Sequence, residues 1–200
     1  MISYKIIKIL EDFLKIKQKN LQRLSNLNEI KPLTKSAQIH YIKGDATKPL
    51  ITEGEYSVIC HCCNTLGAWG AGFVLALSKR FPKVKERYLS LIKSIKPDER
   101  LGKVGFVKTN KNIVVANILG QDRIYRSSDG KIPLNYEALR EGFKNVYDKF
   151  IDYKNIPFTI HMPRIGCGLA GGKWEIVEDI IKDEFTKKGI EVYVYDYEIK

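Results

Sequence analysis

One local pattern occurs twice in this 200-residue chain. The β-type run YSVICHCCN, residues 56–64, leads into TLGAWGAG and then into the helical run GFVLALSKRF. Further on, FTIHMP leads into RIGCGLAGGK and then into KWEIVEDIIKDEF. A glycine-rich turn from strand to helix exposes backbone N–H groups beside the positive end of the helix dipole, and no side chain blocks close approach. Those are the requirements for holding phosphate. In an α/β sheet, loops at the carboxyl ends of strands open onto a common crevice. Two such loops therefore predict a grip on a diphosphate from both sides. Glycines that merely permit a tight turn are the alternative for either loop alone, and recurrence of the pattern weighs against it.

The rest of the chain fits around these two units. IHYIKGD reads as a strand ending in a Gly-Asp turn, and Pro82 separates the first helical run from KVKERYLSLIKSI. GKVGFVKT and NIVVANIL read as strands joined by NKN, a hairpin signal. NYEALREGFKNVYDKFIDY places Leu139, Phe143, Val146, Tyr147 and Phe150 on one helical face, and IEVYVYDYE closes as a strand. Alternating strands and helices give an α/β class with a mixed sheet between helical layers. Before this, Ile6, Leu10, Phe13, Leu14, Leu21 and Leu24 recur at helical spacing, with Lys15, Lys17, Lys19 and Arg23 among them. Pro32 breaks the linker that follows. Residues 1–34 thus form a basic helical extension and linker, and residues 35–200 one domain.

Several function classes are excluded or disfavoured. No stretch is long and apolar enough to span a bilayer, and the N-terminal residues lack the unbroken apolar core of a signal peptide. Crowding of Cys60, Cys62 and Cys63 is not a spaced disulfide framework and points to reduced, intracellular thiols. Strand alternation puts Cys60 and Cys62 on one side and His61 and Cys63 on the other, so no metal is expected. Lys173 is followed by Trp174 and Cys167 stands where a P-loop has its first glycine; Leu75 stands where a dinucleotide fingerprint needs glycine. ATP hydrolysis and nicotinamide redox chemistry are therefore disfavoured. The net charge of +11 leaves a polyanionic partner open, with nucleic acid reachable through the N-terminal helix.

The blocks YIKGDATKP, HCCNTLGAWGAGFVLALSKRFP, GKVGFV, VVANILGQ, NYEALREG and MPRIGCGLAGGKWEIVEDII resemble, in order and spacing, those of macrodomains. The resemblance runs from about Ile39 to Lys200 and is nearest to the branch holding the yeast-type ADP-ribose 1″-phosphate phosphatases. It implies a three-layer α/β/α fold and ADP-ribose, free or on a macromolecule, as the ligand, with no cofactor. Asp45 with the Ala46 backbone would receive the adenine, although by residue type alone Asp45 is a turn former. The first loop (Gly67, Ala68, Trp69, Gly70, Ala71, Gly72, Phe73) would wrap ribose and diphosphate. The second (Pro163, Arg164, Ile165, Gly166, Cys167, Gly168, Leu169) would close from the other side, with Gln121 beside it. Tyr195 or Tyr197 would stack on adenine, or both could be ordinary strand tyrosines.

The resemblance also implies a catalytic pair. Asn64 would reach the distal ribose, or else cap its own turn. His61, three residues earlier in H-x-C-N-x-x-G-x-W-G, would move a proton during phosphate removal, or else be a hydrogen-bonded core residue. Gln121 and Ala170 stand where the branch's glycohydrolases carry lysine and aspartate, and GAWGAGFV lacks the aspartate of other macrodomain hydrolases. Phosphate removal is thus favoured over glycohydrolysis, with a non-catalytic reader of ADP-ribose as the rival.

Overall fold

The structure is a computed structural model that describes residues 37–110, 112–151 and 156–197. The helix expected within residues 1–34 lies outside the described residues. From Ala37 onward the chain is one compact unit. Its strands are β1 (Ile39–Lys43), β2 (Tyr56–Asn64), β3 (Val104–Lys108), β4 (Ile113–Gln121), β5 (Phe158–Pro163) and β6 (Val192–Asp196). Its helices are α1 (Phe73–Arg80), α2 (Lys83–Ser94), α3 (Tyr136–Ile151) and α4 (Trp174–Glu184). Every element expected from the sequence between residues 39 and 197 is present.

The strands form one mixed sheet in the order β1-β6-β5-β2-β4-β3. All neighbouring pairs are parallel except β3 with β4, the expected hairpin. Central strands of a sheet covered on both faces are apolar throughout rather than alternating. Correspondingly, all but the last residue of β4 are buried, and in β2 only Cys62 is not fully so.

Period-two alternation divides the core between two helical layers. Val58 and Cys60 of β2, with Val114, Ala116 and Ile118 of β4, pack against Leu139, Phe143 and Val146 of α3 and Val177, Ile180 and Ile181 of α4. On the other face, Ile59 and Val115 meet Leu77 of α1 and Val84 of α2, while Cys63 and Leu119 meet Tyr88, Leu91 and Ile92. At the α3–sheet contact a Cβ on Gly142 would lie 2.2 Å from Ile118 Cγ2, so only glycine lets the helix sit at this depth. No helix among the described residues is long and apolar enough to cross a membrane.

Candidate active site

Strands β2 and β5 are direct parallel neighbours, paired from Tyr56↔Phe158 to Ile59↔His161. Both glycine loops therefore leave the same carboxyl end of the sheet side by side. A crevice of about 980 Å³ lies there, lined by residues of both loops, the loop after β4 and the end of β6. That volume is at the upper end of the roughly 300–1,000 Å³ typical of small-molecule sites.

The first loop is organised by Asn64. Its carboxamide oxygen accepts from the Leu66 and Ala68 amides at 3.0 Å, and its nitrogen donates to the Ala68 carbonyl at 2.8 Å. Tyr88, buried on α2, adds its hydroxyl to the same oxygen at 2.9 Å. Asn64 lines the crevice, and its polar atoms hold the loop together. This is the turn-capping alternative. Trp69 is fixed by a 2.7 Å bond from its indole to Ser78 Oγ, and it packs edge-on to His61 at 5.5 Å.

The second loop is closed by its own backbone. Gly172 N–H donates to Gly166 carbonyl, and Gly171 N–H to Gly168 carbonyl, each at 2.9 Å. Gly166 has φ of 74°, and a Cβ there would lie 2.9 Å from both Leu134 methyls. Arg164 anchors the loop's start. Its guanidinium lies between the rings of Tyr41 at 4.8 Å and Trp174 at 4.7 Å, and binds Asp196 in two-pronged fashion at 2.7 and 2.9 Å. Such pairing fixes orientation as well as position. Among the described residues, no acceptor is bonded to the amides of Gly70, Ala71, Gly168 or Leu169, so each loop keeps free donors beside the crevice.

His61 reaches the crevice floor but is only 2 % exposed. Asn117, opposite it on β4, donates through its nitrogen to the Val84 carbonyl, which leaves Oδ1 to accept from His61 Nε2–H at 2.5 Å. Nδ1 is then the acceptor, and the Cys63 thiol lies 3.6 Å from it. Burial lowers the His61 pKa to about 4, with the Asn117 bond opposing that shift. The ring is neutral at pH 7, and its one N–H is committed. Proton donation near neutrality, expected of a general acid, is not available in this arrangement; acceptance at Nδ1 is.

The remaining expected residues divide. Ala68 to Phe73, Gln121, Pro163 to Leu169, Tyr195 and Tyr197 line the crevice; Asp45, Ala46 and Gly67 do not. Asp45 Oδ1 is taken by the Thr47 amide at 2.9 Å and hydroxyl at 2.8 Å, as its turn-forming alternative predicts. Ala46 is buried. Gly67 turns the chain behind the loop with φ of 84°. Tyr195 is buried, its hydroxyl accepting from Leu50 N–H and sharing a hydrogen bond of 3.0 Å with His161 Nδ1; Tyr197 is exposed. Ile124, Tyr125, Arg126 and Asp196 also line the crevice and were not anticipated. Their signal was position: QDRIYR follows the carboxyl end of β4, next to β2, where the same crevice rule applies. No group of three or more His, Cys, Asp or Glu among the described residues is placed to hold a metal ion.

No protein-family model matches the chain. An ADP-ribose 1″-phosphate phosphatase of Candida albicans is 29 % identical over 162 residues, covering 78 % of this chain and 99 % of its own length. A structure of a protein of unknown function from Bacteroides thetaiotaomicron is 48 % identical, with a TM-score of 0.74, covering 81 % of this chain and 99 % of that one. A macrodomain protein from Streptomyces coelicolor is 38 % identical, with a TM-score of 0.67, covering 80 % and 100 %.

Proposed function

This chain belongs to the macrodomain family, and from that premise we propose that its crevice binds ADP-ribose and that it hydrolyses an ADP-ribose derivative, ADP-ribose 1″-phosphate being the substrate best supported. The observation that carries the reading is the pair of glycine loops with free backbone donors on neighbouring strands, lining one crevice of a size for a dinucleotide-like ligand. The similarity to the Candida phosphatase, over nearly that protein's whole length, supports the phosphoester as the bond broken. Hydrolysis adds water to the phosphorus and leaves the ribose hydroxyl, giving ADP-ribose and inorganic phosphate.

Division of labour follows from the geometry. Loop amides hold the diphosphate, so that remote binding energy orients the reacting phosphate. Free amides beside that phosphate stabilise charge developing on its oxygens. His61 is a proton acceptor at pH 7, through Nδ1 once the Cys63 thiol turns away. Asn64 holds the first loop, and Arg164 with Asp196 holds the second.

Calorimetric titration with ADP-ribose, followed by phosphate release from ADP-ribose 1″-phosphate, tests both halves. His61→Gln keeps a polar side chain for Asn117 and is expected to bind ADP-ribose while losing turnover. Absence of ADP-ribose binding in the wild type refutes the whole reading. Binding with equally negligible phosphate release from wild type and variant refutes the hydrolase and leaves a reader.

A further inference from the structure

Surface charge is distributed unequally over the two helical layers. On the α3–α4 side most cations are paired, Arg140 with Asp183 and Glu184, Lys182 with Glu178, Lys187 with Asp183 and Lys188 with Glu184, while Lys144 and Lys149 are in none of these pairs. The α1–α2 side is different. Lys79, Arg80, Lys83, Lys85 and Arg87 fall within nine residues, and Lys93 and Lys96 extend the series. All seven are exposed, and Glu86 is the one acid between 79 and 96. The stretch holds a net +6 of the chain's +11. Among the described residues none of these seven is in an ion pair.

Local energetics favour Lys79 and Arg80 in the last turn of α1 and Lys93 in the last turn of α2, and oppose the cations at the start of α2. Lys83 and Arg87 are like charges one turn apart on α2, a repulsion of about 0.2–0.5 kcal/mol. Lys83 and Lys85 also stand in the first turn, where the helix dipole favours acids. The buried contacts of α2 are made by Val84, Tyr88, Leu91 and Ile92, with the stem of Arg87 lying over Gly105 of β3.

The layout indicates what the face takes. A single phosphate is held by donors that converge, whereas these cations are spread over the 12 residues, about 18 Å, of α2, with Lys83 and Arg87 on one flank, Lys85 about 160° around the helix from Arg87, and Arg80 and Lys96 beyond its ends. Such a spread of cations matches a repeating anion. A membrane surface would also need apolar side chains to insert among the cations. Between residues 79 and 96 no large apolar side chain is exposed, and on α1 only Leu75 is, one turn from Lys79, too little for insertion. We propose that the α1–α2 face binds the phosphodiester backbone of nucleic acid, without reading base sequence. None of these cations lines the crevice, so the face acts separately from ADP-ribose binding.

The test uses the full chain and a labelled 20-nucleotide oligothymidylate, followed by fluorescence anisotropy over a range of salt. With about four phosphates neutralised, log K against log salt falls with a slope near −3 for a single strand. The triple variant Lys83→Gln, Lys85→Gln, Arg87→Gln is expected to reduce that slope by about 2 and to bind at least about tenfold more weakly at 50 mM salt. Its calorimetric ADP-ribose affinity should match wild type, showing that the fold is intact. A second variant, Lys15→Gln, Lys17→Gln, Lys19→Gln, Arg23→Gln, is expected to retain most oligonucleotide binding. Loss in the second variant with retention in the triple variant overturns the proposal. So does no oligonucleotide binding by wild type, or tighter binding to anionic phospholipid vesicles than to the oligonucleotide.

Discussion

Gly168→Ala separates a glycine kept for the fold from one kept for a ligand. A Cβ built on Gly168 meets no heavy atom within 4 Å, and its φ is not left-handed. In the free protein the methyl is therefore tolerated, and removing glycine's freedom from the unfolded chain should stabilise by about 0.4–1 kcal/mol. With a diphosphate bound, the same methyl stands between the loop backbone and the anion. Losing one charge-assisted hydrogen bond costs roughly 1.5–3 kcal/mol, a rise of about 10- to 150-fold in the ADP-ribose Kd. Gly172→Ala is the contrasting variant. Its Cβ would lie 2.7 Å from the Gly166 carbonyl oxygen and 2.4 Å from Leu134 Cδ2, so overpacking of about 1–3 kcal/mol falls on the fold itself. Thermal unfolding and calorimetric titration read the two effects separately. Gly168→Ala should show an unchanged or higher Tm with weakened binding, and Gly172→Ala a lowered Tm. An ADP-ribose Kd for Gly168→Ala within about twofold of wild type refutes the close approach of ligand to this backbone.

Other outcomes follow from buried groups and from the second loop's anchor. Burial lowers His61 to about 4 and His161 to about 3, so between pH 6.5 and 5 the unfolded chain binds protons that the folded one refuses. Stability is complete above pH 6.5 and falls with pH, by about 1.4 kcal/mol per unit per histidine or about 4 kcal/mol in total by pH 5; equal urea midpoints at pH 7.5 and 5 would contradict this. Burial raises all four thiols, Cys62 to about 12 and Cys167 to about 11. Native protein at pH 8 should accordingly give no prompt reaction with a thiol reagent and four equivalents after denaturation, and rapid native labelling would show a thiolate. Arg164→Lys loses the planar fork on Asp196 and the stacking between Tyr41 and Trp174, about 1 kcal/mol. Its ADP-ribose Kd should rise severalfold, and an unchanged Kd would mean that the loop keeps its place without that anchor.

What the sequence disclosed and what it concealed have a common physical basis. Elements were legible because their signals are local: Pro82 parts α1 from α2, and glycines end β2 and β5. The two faces of β2 were legible too, since alternation alone puts Cys60 and Cys63 on opposite sides; the structure sets the first against α3 and the second against α2. Partners across strands depend on register, which no local signal carries. His61 faces Asn117 across β2–β4, and His161 faces Tyr193 across β5–β6. Only that pairing reveals that His61 has committed its N–H. Asn64 and Asp45 show the reverse case. Each had a short-range turn role readable from residue type, and its hydrogen bonds within the chain fill that role.

Adjacency of β2 and β5 has a consequence during synthesis. Gly67 and Gly166 are about a hundred residues apart in the chain, so at 5–20 residues per second the first loop waits about 5–20 s for its counterpart to be made. Tyr195 and Tyr197, which complete the crevice, come later still. A nascent chain stalled before β6 would carry every glycine of both loops and still lack the crevice wall made by Tyr195, Asp196 and Tyr197. Ligand capture by ribosome-bound chains would thus time the insertion of β6 between β1 and β5.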